Sequence, residues 1–313
     1  MIAHWDDVEP EHVDNGVLGL DGYDLGEAAG SEGVGVTRAR VLTGRQSSPL
    51  HVELDEEEIF YVLDGSGTLV LRGAELTAHE VRAGDCIVHR VAEEAHVLVG
   101  GPAGLDVLAF GERTDPGATW LPRPRIVRMG VSFHVPTIDD PWELEAAHGP
   151  VEPPPLSPRP STVRNLDEVE SEEGWTPLAR RAGSVRTALN HIVVPPNQLH
   201  APPHCHTEDE ELFVVLEGEG VLELTPSPGR ADTGSELERH PVREGHVVSR
   251  PPSTGLAHGF RAGDGGLTLL GYGTRRRNDI CYYPRSNKIS FRGLGLIARL
   301  DHVRYEVGEE SVT

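Results

Sequence analysis

The sequence predicts an all-β chain built from two tandem barrels or sandwiches. Short apolar runs recur along it, separated by turn-forming clusters that draw on 36 glycines and 25 prolines. A long-range repeat pairs its two halves, and each copy, at roughly 110 residues, suits a duplicated domain rather than a solenoid unit. With 313 residues the chain is long enough to give each half its own core.

The elements follow in chain order. Residues 1–22 are acidic and turn-rich and are expected to form an arm leading into the first barrel. Residues 60–63 and 68–71 flank Asp64-Gly65-Ser66-Gly67, and residues 211–216 and 221–224 flank Glu217-Gly218-Glu219-Gly220. Both patterns predict β-hairpins. Between the halves, Pro153-Pro154-Pro155 and Pro158-Arg159-Pro160 favour extended, stiff chain. The expected division is therefore residues 1–135 for the first barrel, 136–165 for a linker and 166–313 for the second barrel. Short helices are expected only at 141–147 and near 166–172.

A shift of 153 residues carries His51 onto His204, Glu53 onto His206, Glu58 onto Glu211 and Gly65 onto Gly218. Further on the shift becomes 162, taking His96 onto His258, because the second copy holds an extra polar loop at about 225–241.

The chemistry is concentrated in the second copy. Alternate residues of a strand share a face, so His204 and His206 point together while Cys205 points away and is expected to be a core residue. Glu211 follows across a short acidic turn and adds a carboxylate, giving a mixed nitrogen and oxygen set suited to a divalent transition metal. A Pro/Gly turn through Pro251, Pro252 and Gly255 delivers His258 as the fourth ligand. In the first copy the equivalent set is His51, Glu53, Glu58 and His96. It either holds a second, harder ion or has decayed, so metal analysis is expected to find nearer one ion per chain than two.

These two motifs, His-x-His with a following Glu and Gly, then Gly, a short strand, a turn and His, resemble those of the cupin superfamily. The resemblance covers nearly the whole chain and implies two double-stranded β-helix, or jelly-roll, barrels, with the metal inside. Residues 56–63, 83–89 and 278–288 are similar to stretches of bacterial two-cupin proteins of unassigned function. What the resemblance implies about activity is a metal-dependent oxidoreductase of the dioxygenase type, holding Fe, Mn, Ni, Cu or Zn and acting on a small organic molecule in the second barrel. Arg250, Tyr272, Tyr282 and Arg285 are then candidates to surround that substrate. Alternatives are a metal-stabilised binding protein for a sugar or organic acid, and a metal-dependent lyase or isomerase. Cupins often pair through their barrels, which makes a homodimer an expectation.

Composition narrows the partners. With 50 acidic against 28 basic residues the net charge is −22, which disfavours nucleic acid and anionic membrane. The basic run at 275–277 is expected to be a solvated loop or a set of ion pairs. Three cysteines at 86, 205 and 281 lack paired spacing, which fits a reducing compartment. No secretory signal or membrane-length apolar run is visible, so the expectation is a soluble, cytoplasmic protein.

Overall fold

The computed structural model describes residues 1–130, 140–301, 303 and 307–308. Among these residues the strands form four antiparallel sheets, two large and two small, in two barrels. In the first large sheet, Asp85–His89, Glu58–Arg72, Ala95–Glu112, Val34–Val41 and Gly19–Asp24 lie side by side. The second repeats that order with His246–Arg250, Glu211–Pro226, Leu256–Thr274 and Thr187–Val194. Each barrel also carries a small sheet. In the first, Val52–Glu53 pairs with Ala118–Leu121, and in the second, Cys205–His206 pairs with Ile280–Tyr283.

Period-two alternation sends side chains of one strand to different cores. In Thr187–Val194, Leu189 joins a core shared by both halves, whereas Ile192 and Val194 face the interior of the second barrel. The shared core stacks Phe110 of one half on Tyr272 of the other, with ring centroids 5.1 Å apart.

Two buried glutamates clamp the halves together by the same device. Glu57 accepts hydrogen bonds from the backbone N–H groups of Val185 and Thr187 and from the hydroxyls of Ser184 and Thr187. Its counterpart Glu210 accepts from the N–H groups of Glu32 and Gly33, at 2.8 and 2.5 Å. Each carboxylate thus replaces its lost hydration with donors from the opposite barrel, which is what a buried charge requires.

The expected hairpins are absent. Glu58–Arg72 and Glu211–Pro226 each run on as one long strand. Gly65 and Gly218, at φ 81° and 80°, sit at register shifts where the strand bends and changes neighbours. Beyond the bend, Ser66 pairs with Arg82, whereas before it Glu58 pairs with His89. A Gly-x-Gly run thus makes a bulge here, a use of positive φ that the sequence pattern does not separate from a turn.

The N-terminal arm also departs from expectation. Glu11–Asp14 pairs with Gly19–Asp24 in the first sheet, but Ile2–His4 is the edge strand of the second, antiparallel to His246–Arg250. Gly245, at φ 90°, makes room for it, since a Cβ there would come within 2.6 Å of Trp5 Nε1 and 2.7 Å of His4 Nε2. Conversely, Val163–Asn165, at the end of the proline-rich stretch, pairs with Asp85, Cys86 and Ile87 at the edge of the first sheet. The expected helix at 141–147 is present as Pro141–Ala146, capped by Asp140, and the one near 166–172 is a single 3-10 turn, Leu166–Glu168. Residues 131–139, including part of the expected linker, lie outside the described residues. The extra polar loop contains the short helix Pro228–Ala231 before Glu238–Arg243 rejoins the sheet.

Candidate metal centres

The two motifs of each half meet through a backbone exchange. His204 and His258 form an isolated antiparallel bridge, and His51 and His96 form its equivalent. Four sequence-predicted residues converge in the second barrel. Glu211 Oε2 lies 3.0 Å from His258 Nε2, 3.5 Å from His206 Nε2 and 4.0 Å from His204 Nε2. Nε2 of His206, Nε2 of His258 and Oε2 of Glu211 are buried without a hydrogen-bond partner. Orphaned lone pairs aimed at one point suit a cation and otherwise cost desolvation free energy, so this donor set fits a metal.

The surroundings fix protonation. Burial pushes the His258 imidazole down to about 3, leaving it neutral and available as a ligand. Burial opposes ionisation of Glu211 too, but the three imidazoles outweigh it and hold the carboxylate well below its usual range. At His206 burial is likewise outweighed, here by Glu211 and by Asp279, and the ring is raised.

Asp279 was not singled out by the motifs. Its Oδ2 is 2.7 Å from His206 Nδ1, and its Oδ1 accepts from the N–H groups of Thr207, Glu208 and Asp209. Carboxylate behind imidazole is the arrangement that orients a metal-binding histidine and leaves its far nitrogen free. His200, also missed, is buried beside the site and is pushed down to about 4 by burial, so its Nδ1 accepts the Phe260 N–H.

A cavity of about 400 Å³ opens beside Glu211. Ile192, Phe213 and Trp175 form apolar walls, and Arg275 and Arg292 stand at its edge. Arg292 is paired with Asp209 and lies 3.5 Å from Asp279, while Arg276 reaches Glu112 at 3.3 Å. The basic run at 275–277 is thus an exposed segment in which Arg276 makes an ion pair.

Of the four residues expected around a substrate, Tyr272 lines this cavity, and Arg250, Tyr282 and Arg285 are held elsewhere. Arg250 is buried, donates to the Leu256 carbonyl at 2.9 Å, and acts on Glu211 through its charge. Tyr272 is taken up in the shared core against Phe110. The Tyr282 hydroxyl donates to Asn287, and Arg285 pairs with Glu223 at 2.7 Å. Cys205 is half-buried rather than in the core, because its strand pairs at the barrel edge with Tyr282.

The first barrel also assembles its set. His51, Glu58 and His96 each offer an atom within 4.8 Å of the others, and Glu53 Oε1 lies 3.6 Å from His51 Nε2. Here the donors are partly spent on one another. His96 Nε2 is hydrogen-bonded to Glu58 at 2.9 Å, and Glu53 accepts from Thr119 at 2.8 Å. Burial works against charging His51, yet Glu58 and Glu53 raise it to about 9, so a proton supplies the positive charge among the carboxylates. Glu53 itself is pushed up to about 7 by burial and by Glu58.

No protein-family model matches the sequence, and no curated protein matches it. The solved structures resemble it in fold. A single-substitution variant of Bacillus subtilis oxalate decarboxylase aligns over 87% of this chain and 76% of its own, with a TM-score of 0.59 at 16% identity. The same enzyme at pH 4.6 aligns over 87% and 75%, with a TM-score of 0.58 at 15% identity. A deletion variant aligns over 87% and 76%, with a TM-score of 0.59 at 15% identity. The chain has the fold of a bicupin, two jelly-roll barrels in tandem. No helix among the described residues is long and apolar enough to cross a membrane.

Proposed function

We propose that this chain is a metal-dependent enzyme that acts on a small carboxylate-bearing substrate in its second barrel. The observation that carries the reading is the convergence of unpartnered, buried His206, Glu211 and His258 atoms beside a cavity edged by arginine. His204, His206, Glu211 and His258 would hold one divalent transition ion. Such an ion, when bound, supplies a Lewis acid that polarises a carboxylate or orients dioxygen. The protein's own contribution is to keep His258 neutral and Glu211 ionised, to aim His206 through Asp279, and to line the approach with apolar side chains that exclude water. Exposed Arg275 offers the charge complement for a substrate carboxylate at the mouth. The division into 1–135, 136–165 and 166–313 belongs to the same reading, with the first barrel's His51, Glu53, Glu58 and His96 as a second, harder and weaker site.

Two reaction classes fit. Oxidative cleavage of dioxygenase type draws on a centre with coordination positions left over. Non-oxidative decarboxylation is supported by the two-barrel likeness to oxalate decarboxylase. Protein purified without an affinity tag is assayed for metal, then incubated with small mono- and dicarboxylates while O2 uptake and CO2 release are followed together. Stoichiometric O2 uptake identifies the oxygenase. Release of CO2 without net O2 uptake identifies the lyase. A metal content unchanged in His206→Ala would sink both.

A further inference from the structure

A sulfur atom stands among the imidazoles of the second centre. A ring nitrogen of His204, one of His206 and the Sγ of Cys281 all lie within 4.8 Å of one another, and His204 belongs equally to the group it forms with Glu211 and His258. We propose that Cys281 is a further ligand of the second-barrel ion, as a thiolate, and that it makes this centre selective for thiophilic metals. The inference rests on the four-residue metal reading above.

Strand geometry puts the sulfur there. Ile280–Tyr283 runs antiparallel to Cys205–His206, and Cys281 is the direct partner of His206. Directly opposed residues point to the same face, so the thiol shares the face of the imidazole that Asp279 orients. Cys205, one residue away, points elsewhere and is opposed to Tyr282. Cys281 is free and 7% exposed. The unpartnered Nε2 of His206 and that of His258, which is 1% exposed, mark the space as one made for a cation.

The first barrel supports the assignment by contrast. There the equivalent strand pair is Glu53 with Thr119. Glutamate replaces histidine and threonine replaces cysteine at the same two opposed positions, and the hydroxyl donates to the carboxylate at 2.8 Å. Both substitutions change together, from nitrogen and sulfur to oxygen. Soft donors favour zinc, copper, cobalt and nickel over manganese or magnesium, and oxygen donors favour the reverse. The two barrels are thereby built for different ions. On binding, the thiol proton is released to solvent and the sulfur lone pair is donated to the metal. Tyr283 lies two residues on, on the same face of the strand, and its ring stacks on His204 with centroids 5.7 Å apart, so an aromatic wall stands beside the thiol and the imidazoles.

The test uses full-length, metal-free protein titrated with Co²⁺ and followed by absorption. The expected result is a strong near-ultraviolet sulfur-to-cobalt charge-transfer band at one equivalent in the parent and in Cys205→Ser. It should be lost in Cys281→Ser and in Cys281→Thr, the latter carrying the residue that the first barrel tolerates. These two variants should still bind cobalt, with Cd²⁺ affinity lowered at least tenfold and Mn²⁺ affinity nearly unchanged. Cobalt uptake that depends on His206 but gives no such band in the parent overturns this inference and leaves the four-ligand reading standing. Absence of any uptake that His206→Ala abolishes overturns both.

Discussion

The N–H of His258 donates to the carbonyl of His204 at 2.9 Å, and the N–H of His204 returns the bond at 3.2 Å. The same reciprocal pair joins His96 and His51, at 2.7 and 3.2 Å. Residues 54 positions apart in the second barrel and 45 apart in the first are thus set side by side by main chain alone. The second site should be preorganised, and its ligand set should lose affinity through side-chain changes more than through backbone loosening.

Asp279 is the sharpest case. Asp279→Asn keeps the shape but can no longer hold His206 in one tautomer, and removing such a partner typically lowers metal affinity by about 10–100-fold. Competition with a chromophoric chelator measures this. An affinity within twofold of the parent would show that the three backbone N–H bonds are the main role of Asp279.

The metal-free protein should weaken on the alkaline side. His51 is raised to about 9 in the fold from an ordinary 6.5, so its contribution is complete below about pH 6.5 and disappears as pH rises through 9. Glu53, raised to about 7, acts in the same direction, because its folded form holds a proton that the unfolded chain has already given up. Melting temperature measured in chelator should fall between pH 6.5 and 9. His51→Gln should flatten that limb, and an unchanged limb in the variant would refute the assignment.

Loss of a cross-barrel clamp should cost more than loss of a surface ion pair. Glu57→Ala leaves the N–H and the hydroxyl of Thr187 buried without their acceptor, and each such group costs about 1–3 kcal/mol. A destabilisation of roughly 3–5 kcal/mol in chemical denaturation is expected, and Glu210→Ala should behave alike. A change below about 1 kcal/mol in either would mean that water replaces the carboxylate.

The bulge glycine is similarly constrained. At φ 80°, Gly218 has no room for a side chain, since a Cβ would overlap the Gly266 carbonyl oxygen. Gly218→Ala should destabilise by about 2–4 kcal/mol, and Gly245→Ala should instead loosen the N-terminal strand by displacing His4 and Trp5. Amide exchange at Ile2–His4 distinguishes the two.

The four converging residues of the second barrel were legible in the sequence because His-x-His exploits strand alternation and because the repeat supplies a second copy for comparison. The residues that pack behind and beside them were not. Asp279 and Cys281 reach the site through pairing between Cys205–His206 and Ile280–Tyr283, a contact between segments some 75 residues apart that no local pattern encodes. Glycine pairs were read as hairpin turns because bulge and turn both ask for positive φ, and only the neighbouring strands decide between them. The fate of the first few residues was hidden for a related reason. A three-residue strand carries too little periodicity to declare its sheet, and here the space left by Gly245 decides it.

The exchange of edge strands has a practical corollary. Ile2–His4 is held by the second sheet and Val163–Asn165 by the first, so each barrel is completed by a strand from the far side of the proline-rich stretch. A protease that nicks the chain within that stretch should yield two fragments that stay together as a native-like heterodimer, each plugging its partner, and neither fragment alone should recover the stability of the whole.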